Sequence, residues 1–225
     1  MCRMIFAKGK FDVNMLIDDM ILMALDKNER HEENADKIFQ HGDGWGLCYL
    51  QNSELIVHRS VRPIFDDPAI DQFRSLKTDM FILHARHASL GKVVPANVHP
   101  FESQRYVFFH NGTIYEDLPF DREFHPRGTT DSERYFYYLI SSKNQEIDRL
   151  QLQEKLTRLT DFSGANFILT TGQKTFIANW YAINPRYYTM KKMSENSTTI
   201  ISSEILPHFR QKNWEPLKNH DILEI

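Results

Sequence analysis

The chain has 225 residues, of which 41% are hydrophobic and 25% charged, and its formal net charge is -3. These values fit a globular protein with one sizeable core, and because no linker-like stretch interrupts the chain we expect a single domain over residues 1–225. The weakly acidic balance excludes the basic surface that nucleic acids and anionic membranes attract, so we expect neither as a partner.

The apolar stretch nearest the N-terminus, residues 15–25, contains two aspartates and is too short to cross a bilayer. It also lacks the basic start and the small-residue cleavage site of a secretory signal. We therefore expect a cytoplasmic protein in which Cys2 and Cys48 are free thiols. Cys48 lies in an apolar run and is most simply a core residue.

Apolar periodicity and turn residues predict mixed elements in the first half of the chain. They are a strand over 2–7, an amphipathic helix over 13–25, a glycine-dense turn over 41–46, hairpin strands over 45–50 and 54–59, a short helix over 68–76, a strand over 80–84 and an irregular loop over 86–100. A strand over 106–110 follows, and the pair Asn111-Gly112 after it has the sequence of a tight turn.

The second half of the chain predicts two helices and then a run of strands. Thr130-Asp131-Ser132-Glu133 has the form of a capping box, with Thr130 as N-cap and Glu133 as its return partner. The predicted elements are helices over 131–140 and 147–159 and strands over 166–170, 175–180, 187–190 and 198–202. Mixed elements followed by strands indicate an α+β fold with mainly antiparallel sheets.

The first three residues, Met1-Cys2-Arg3, provide the first candidate for chemistry. Removal of the initiator Met1 would leave Cys2 with a thiol and a free α-amine on one carbon. Their reference pKa values, about 8.5 and about 7.7–8.0, suit proton exchange near neutral pH. The amine could then act as the base for thiol attack on a carbonyl, without a histidine. The alternative is an ordinary strand cysteine in a frayed terminus.

Asn111 and Gly112 have a functional interpretation besides the tight turn. The Asn111 side-chain amide and the Gly112 backbone N–H could point at one developing oxyanion, and such a donor contributes about 3–4 kcal/mol to transition-state stabilisation. Glycine at this place would let the backbone approach a substrate closely.

Two charged side chains suit the ends of an amino-acid substrate. Arg86 follows a strand, and its guanidinium could bind an α-carboxylate bidentately; the alternative is a solvated surface arginine. Asp131 falls in the first turn of a predicted helix, where the macrodipole would keep it ionised and able to hold an α-ammonium group. For Asp131 the alternative is the ordinary preference of aspartate for helix starts.

Four histidines, His84, His87, His99 and His110, raise the question of a metal site. Their spacing matches no zinc pattern, and no predicted helix carries two of them four residues apart. We therefore expect neither a metal nor a cofactor, and interpret these histidines as structural.

Six segments, in this order along most of the chain, form a recognisable set. They are Met1-Cys2-Arg3, His41-Gly42-Asp43-Gly44-Trp45-Gly46, His84-Ala85-Arg86, Asn97-Val98-His99-Pro100-Phe101, His110-Asn111-Gly112 and Thr130-Asp131-Ser132-Glu133. The set resembles the class II glutamine amidotransferases, which are N-terminal-nucleophile hydrolases. Residues 201–206 and Trp214 resemble the closing segment of the stand-alone branch, which includes amidohydrolases of ergothioneine biosynthesis and glutathione breakdown.

The resemblance implies a four-layer αββα sandwich of two antiparallel sheets. It implies that Cys2 is the nucleophile and its α-amine the base. The further implied roles are an oxyanion hole of Asn111 and Gly112, an α-carboxylate site at Arg86, an α-ammonium site at Asp131, a pocket lining that includes Ser89 and His99, and a wall near Cys2 shaped by Gly44, Trp45 and Gly46.

Departures from the family pattern bear on the substrate. Residues 87 and 89 are His and Ser where amidotransferases that feed a synthase often have a bulky aromatic residue and Thr, and no synthase domain follows in this sequence. We therefore expect a hydrolase of γ-glutamyl amides that releases glutamate. The alternatives are a glutaminase subunit that delivers ammonia to a separate synthase, and a catalytically silent binding domain. The expected partner is a small γ-glutamyl substrate. The sequence neither predicts nor excludes a homo-oligomer.

Overall fold

The computed structural model describes residues 1–142 and 146–225. Its strands are β1 Cys2–Lys8, β2 Trp45–Gln51, β3 Glu54–Ser60, β4 Met80–Arg86, β5 Phe101–Ser103, β6 Tyr106–Ile114, β7 Phe162–Thr170, β8 Thr175–Asn179, β9 Lys191–Glu195, β10 Thr198–Ser202, β11 Trp214–Pro216 and β12 Asp221–Glu224. Its α-helices are α1 Val13–Ala24, α2 Asp131–Ile140, α3 Arg149–Thr157 and α4 Pro185–Tyr188. Among these helices, none combines the length and the apolar character needed to cross a membrane.

The strands form two antiparallel sheets that pack face to face. The first sheet has the order β11-β9-β10-β1-β4-β2-β3, and the second has the order β12-β8-β7-β6-β5. An apolar layer joins the inner faces, with Met4 and Ile82 from the first sheet meeting Phe109 and Ile168 from the second. Helix α1 covers the outer face of the first sheet, and α2 with α3 covers that of the second. The predicted α+β class and αββα sandwich are confirmed.

Two sequence predictions of local structure are wrong. Strand β6 does not end before a turn at Asn111-Gly112 but continues to Ile114, since both residues pair with β7, opposite Asn166 and Ala165. The long pairing with β7 outweighs the local turn preference of Asn-Gly. Residues 187–190 are not a strand: the short helix α4 begins at Pro185, a residue suited to the first helical position.

The predicted capping box at α2 is half correct. The Thr130 hydroxyl accepts a hydrogen bond from the Glu133 N–H at 3.3 Å, so Thr130 is the N-cap. The Glu133 carboxylate, however, accepts from the backbone N–H groups of Arg127 and Gly128, at 2.9 and 2.7 Å. It therefore fixes the incoming loop and does not return to the cap.

Several short strands had no prediction, and the helix expected over 68–76 is a 3-10 helix over Pro68–Phe73. The unpredicted strands are β5, β9, β11 and β12. Each has three to five residues with exposed positions in the burial pattern. Such segments carry too little apolar alternation to be recognised locally, and pairing with a longer neighbour forms them.

A buried ion pair anchors the start of β1. Arg3 and Glu204 are 1% and 3% exposed, and Arg3 Nη2 lies 2.7 Å from Glu204 Oε1. The Arg3 guanidinium also lies over the Tyr187 ring, 4.2 Å from its centroid. The Ser203 hydroxyl accepts a hydrogen bond from the next residue, through the Met4 N–H at 2.9 Å. These contacts hold the segment that follows Cys2 against the end of β10.

His31 belongs to the same buried neighbourhood. Its ring lies edge-on to Tyr187 at 4.9 Å, and its Nδ1 accepts a hydrogen bond from the Glu33 N–H, which requires a neutral ring at that nitrogen. Burial, and after it the positive charges of Arg3 and Lys191, lowers the pKa of His31 to about 3.

We expect Glu204→Ala to lower the free energy of unfolding by about 3–5 kcal/mol, because it leaves the Arg3 charge buried without its anion. Denaturant unfolding followed by circular dichroism measures this loss. Glu195→Ala is the control, since that glutamate pairs with Lys212 at the surface and its loss costs less than about 1 kcal/mol. Equal effects of the two substitutions would contradict the assignment of Arg3–Glu204 as the anchor.

We expect stability to fall as the pH drops from about 6.5 toward 3, partly because of His31. The unfolded chain binds a proton on this histidine near pH 6.5, whereas the folded chain does not. The stability due to neutral His31 is therefore complete above about pH 6.5. It is lost progressively between about pH 6.5 and 3, at up to about 1.4 kcal/mol per pH unit. In His31→Gln the slope of stability against pH should be shallower by that amount; an unchanged slope would contradict the role of His31.

Candidate active site

The pairing register brings Cys2 into the interior between the two sheets. Cys2 lies directly opposite Arg86 in the β1–β4 pair, and Met4 lies opposite His84. Directly opposed residues share a face and alternate residues along a strand return to it, so all four side chains point toward the second sheet. Cys2 is only 4% exposed, although it is the first residue of its strand.

Asn111 meets Cys2 from the second sheet. The Cys2 backbone N–H donates to Asn111 Oδ1 at 2.7 Å, and the Asn111 side chain is fully buried. The amide nitrogen Nδ2 has no hydrogen-bond partner among the described residues. An unsatisfied buried donor costs about 1–3 kcal/mol, so a free N–H beside a cysteine is well suited to an acceptor on a ligand.

Gly112 allows β6 and β7 to approach closely beside this donor. A Cβ at Gly112 would lie 1.6 Å from the Gly164 carbonyl oxygen, and a Cβ at Gly164 would lie 2.5 Å from the Tyr188 ring. The neutral His110 ring holds the same carbonyl, with Nε2 3.2 Å from Gly164 O and Nδ1 2.9 Å from the Ser132 hydroxyl. Burial lowers the pKa of His110 to about 3, which keeps this ring uncharged.

The surroundings of Cys2 favour its thiolate. Burial alone would raise the pKa of the Cys2 thiol, but His84, the N-terminal amine and a hydrogen bond from the His87 backbone together lower it to about 6. Cys48, by contrast, has a pKa raised to about 12 by burial. Of the two cysteines, Cys2 therefore has the larger thiolate fraction near neutral pH.

Arg86 is a buried cation whose hydrogen-bond partners are backbone carbonyls. It is 3% exposed, and its Nη2 donates to Leu90 O at 2.9 Å. Within the described part of the chain, no carboxylate lies within salt-bridge distance of its guanidinium. No carboxylate of the described residues therefore neutralises this buried charge.

Asp131 borders a cleft of about 190 Å³ that Leu90, Ile114 and Thr129 also line. Its Oδ2 accepts a hydrogen bond from the Ile114 N–H at 2.8 Å. Its position in the first turn of the helix predicts an ionised carboxylate, stabilised by the macrodipole. Burial is the larger effect and raises the pKa of Asp131, while the Ile114 hydrogen bond opposes that rise. Leu90 accepts a hydrogen bond from Arg86 and also lines this cleft, so the loop that contains Leu90 lies next to both Arg86 and Asp131.

Two further predicted pocket residues, Ser89 and His99, have contacts near the candidate site. The Ser89 hydroxyl lies 2.7 Å from that of Thr113, next to Gly112. His99 packs against His84, with ring centroids 4.2 Å apart, and both rings are buried next to Cys2.

Gly44 supports the strand end beside Cys2, whereas the Trp45 side chain points away from Cys2. The Gly44 carbonyl accepts from the Arg86 N–H at 2.8 Å, which makes it a support for that strand end. Trp45 lies opposite Ala85 and so points to the outer face, where its indole Nε1 donates to Asp67 Oδ2 at 3.0 Å. The alternation of a β-strand turns this large side chain away from the site.

Sequence reasoning missed two groups of supporting residues. His84 was interpreted as structural, although it precedes Arg86 by two residues and must share its face; that spacing was the available signal. The Tyr187 hydroxyl donates to Cys2 O at 3.1 Å and lies 3.0 Å from His41 Nε2. Tyr187 reaches Cys2 only through the fold, and no local sequence signal indicated it.

A family model described as class II glutamine amidotransferases matches residues 20–216. A Methanocaldococcus jannaschii protein, MJ1515, is 31% identical over 168 residues, which cover 68% of this chain and 46% of that protein. A Haemophilus influenzae protein that carries the provisional name of a glutamine amidotransferase is 32% identical over 152 residues, covering 59% of this chain and 50% of its own length. The chain thus spans about half the length of these curated relatives.

A more distant relative and two solved structures match the whole chain. The Saccharomyces cerevisiae protein DUG3, named a probable glutamine amidotransferase, is 20% identical over 100% of this chain and 82% of its own. A Silicibacter pomeroyi class II domain protein has a TM-score of 0.66 at 18% identity, covering 100% of this chain and 94% of that one. The Bacillus subtilis glutamine phosphoribosylpyrophosphate amidotransferase has a TM-score of 0.66 at 16% identity, covering 100% and 47%. These two structures establish likeness of fold.

We expect Gly112→Ala to disrupt the junction of β6 and β7, because the new methyl group would meet a backbone oxygen that cannot move aside. The protein should melt at a lower temperature or fail to fold, as measured by thermal unfolding. Gly42→Ala is the matched control: the nearest atom to its methyl group would be a Phe65 side-chain carbon at 3.5 Å. Wild-type melting of Gly112→Ala would show that the strands do not approach as described.

Proposed function

The chain belongs to the class II glutamine amidotransferase family, and from that premise we propose that it is a cysteine-dependent hydrolase of γ-glutamyl amides. Glutamate is the proposed product, released through a γ-glutamyl thioester. The observation that carries the proposal is the hydrogen bond from Cys2 N to Asn111 Oδ1, which leaves the Asn111 Nδ2 donor unpaired beside the thiol.

In the proposed first step, Cys2 Sγ attacks the γ-carbonyl carbon of the substrate. When Met1 has been removed, the α-amine of Cys2 takes the thiol proton and later gives it to the departing amine. Asn111 Oδ1 accepts an N–H of this amine and so orients its lone pair. The lowered pKa of the Cys2 thiol supports this step, since surroundings that favour the thiolate ease the transfer of its proton.

The tetrahedral intermediate carries a negative oxygen that needs donors already in position. Asn111 Nδ2 supplies one donor, and the Gly112 backbone is the second in this proposal. Loss of the amine leaving group gives the thioester on Sγ. Water then adds to the thioester carbonyl, the same donors stabilise the second oxyanion, and the thiol is regenerated with release of glutamate.

The two ends of the glutamyl group meet opposite charges. The buried Arg86 guanidinium binds the α-carboxylate, and the Asp131 carboxylate binds the α-ammonium group. Support comes from the absence of an acidic partner for Arg86 in the described residues and from the cleft that Asp131 borders. The Ser89 hydroxyl, 2.7 Å from that of Thr113, would line the pocket next to Gly112.

The test is glutamate release by protein lacking Met1, measured with glutamine and with γ-glutamyl peptides that include glutathione. We expect Cys2→Ala to abolish release. Asn111→Ala should lower kcat about 10²- to 10³-fold through loss of one oxyanion donor. Cys48→Ala, the control for loss of a buried thiol, should retain the wild-type rate.

The outcome across substrates separates the alternatives. Release mainly from peptides supports the proposed hydrolase, whereas release mainly from glutamine would favour a subunit that delivers ammonia to a synthase. No release from any substrate, together with an unreactive Cys2 thiol, would favour a silent binding domain. A wild-type rate in Cys2→Ala would refute the mechanism.

A further inference from the structure

We propose that Cys2, His84 and His99 form a binding site for a borderline-soft divalent cation such as Zn²⁺, and that the bound cation blocks the Cys2 nucleophile. Binding of the cation depends on these three side chains alone. Its regulatory consequence rests on the proposed function, because a blocked thiol matters only where that thiol attacks a substrate.

The three side chains converge on one point between the sheets. Each offers one ligand atom, and these atoms all lie within 4.8 Å of one another. The residues are 4%, 0% and 2% exposed. Tetrahedral zinc ligands at 2.0–2.3 Å from the metal are about 3.5 Å apart, so small rotations of the side chains would close the site. One thiolate with two imidazoles is a donor set that suits Zn²⁺.

The unpaired ring nitrogens are an independent observation that points to a ligand. Neither Nδ1 nor Nε2 of the buried His99 ring has a hydrogen-bond partner in the described structure. Buried imidazole nitrogens normally find partners, because each unsatisfied group costs about 1–3 kcal/mol. Ring packing between His84 and His99 accounts for where the rings lie but leaves these nitrogens unexplained.

His84 also has the outer contact that orients a metal-binding histidine. Its Nε2 lies 3.2 Å from the carbonyl oxygen of His110, which can only accept, so Nε2 carries the proton. In the neutral ring, the form that binds a metal, the opposite nitrogen Nδ1 presents a lone pair. A ligating imidazole typically donates its other N–H to a backbone carbonyl in this way.

The fold brings His99 to this place through Gly46. A Cβ at Gly46 would lie 2.0 Å from the His99 carbonyl oxygen, so only glycine lets the 97–100 segment approach β2 so closely. Gly46 is paired opposite His84 on the same sheet. The residue that allows the approach therefore also sets the distance between the two imidazoles.

Chemically, cation binding competes with catalysis for one sulfur lone pair. The thiol proton is released to solvent, the sulfur binds the cation as thiolate, and no redox change occurs. The fourth position is left for water or, after removal of Met1, for the α-amine of Cys2, which forms a chelate with its own sulfur. In either case Sγ cannot attack a γ-carbonyl carbon until the cation leaves.

The first experiment uses Co²⁺ as a spectroscopic probe and then Zn²⁺ as competitor, with the full chain lacking Met1. We expect one Co²⁺ per chain, with a thiolate-to-cobalt charge-transfer band that Zn²⁺ abolishes. Cys2→Ala should lose the band. His99→Gln should weaken binding by at least the 10- to 100-fold that loss of a supporting contact costs a zinc site. Cys48→Ala should bind as the wild type does.

Circular dichroism of each variant separates loss of the site from loss of folding. The proposal is overturned if the wild type shows no charge-transfer band, if folded Cys2→Ala keeps it, or if folded His99→Gln binds with unchanged affinity. Because this readout needs no turnover, it gives a result even if the proposed hydrolase activity fails.

A second measurement tests the regulatory part. Glutamate release should fall as Zn²⁺ fills the site, with half-inhibition at the Zn²⁺ concentration that displaces half of the cobalt, and a chelator should restore the rate. Full activity of the Zn²⁺-loaded protein would overturn the regulatory part while leaving the binding site in place.

Discussion

The candidate site depends on one hydrogen bond between the two sheets, from the Cys2 N–H on β1 to Asn111 Oδ1 on β6. At 2.7 Å it fixes the nucleophile and the predicted oxyanion donor relative to each other, although 109 residues separate them along the chain. Neither strand could supply this geometry alone. The apolar layer between the sheets sets the distance between them. The hydrogen bond then positions Cys2 and Asn111 next to this layer.

Two further contacts hold the strands that carry this bond. The buried Arg3–Glu204 pair holds β1 on one side, and the contact of Gly112 with Gly164 holds β6 against β7 on the other. The ion pair lies outside the reacting groups, and the glycine contact lies at the proposed oxyanion hole. They limit the movement of Cys2 and Asn111, and a site whose groups are already in position loses little free energy to reorganisation when it acts.

The interior of the site keeps polar groups without partners, which is unusual for a protein core. Asn111 Nδ2 and the imidazole nitrogens of His99 are buried and unsatisfied, and Arg86 is a buried cation held by carbonyl oxygens. Each of these lowers stability, and together they lie around a single thiol. The simplest physical reason for such a concentration is that ligands complete the hydrogen bonding and the charge balance.

The sequence by itself determined the α+β class, most of the longer strands and helices, and a set of ordered segments whose resemblance to class II glutamine amidotransferases the family model confirmed. It also identified Cys2, Asn111, Arg86 and Asp131 as candidates from their chemistry. Only the tertiary structure decided that Asn111-Gly112 lies within a strand, that Trp45 points away from Cys2, and that His84 and His99 meet at the thiol. These features follow from strand register and from the packing of two sheets, and both depend on pairings between residues far apart in the chain, which local periodicity does not encode.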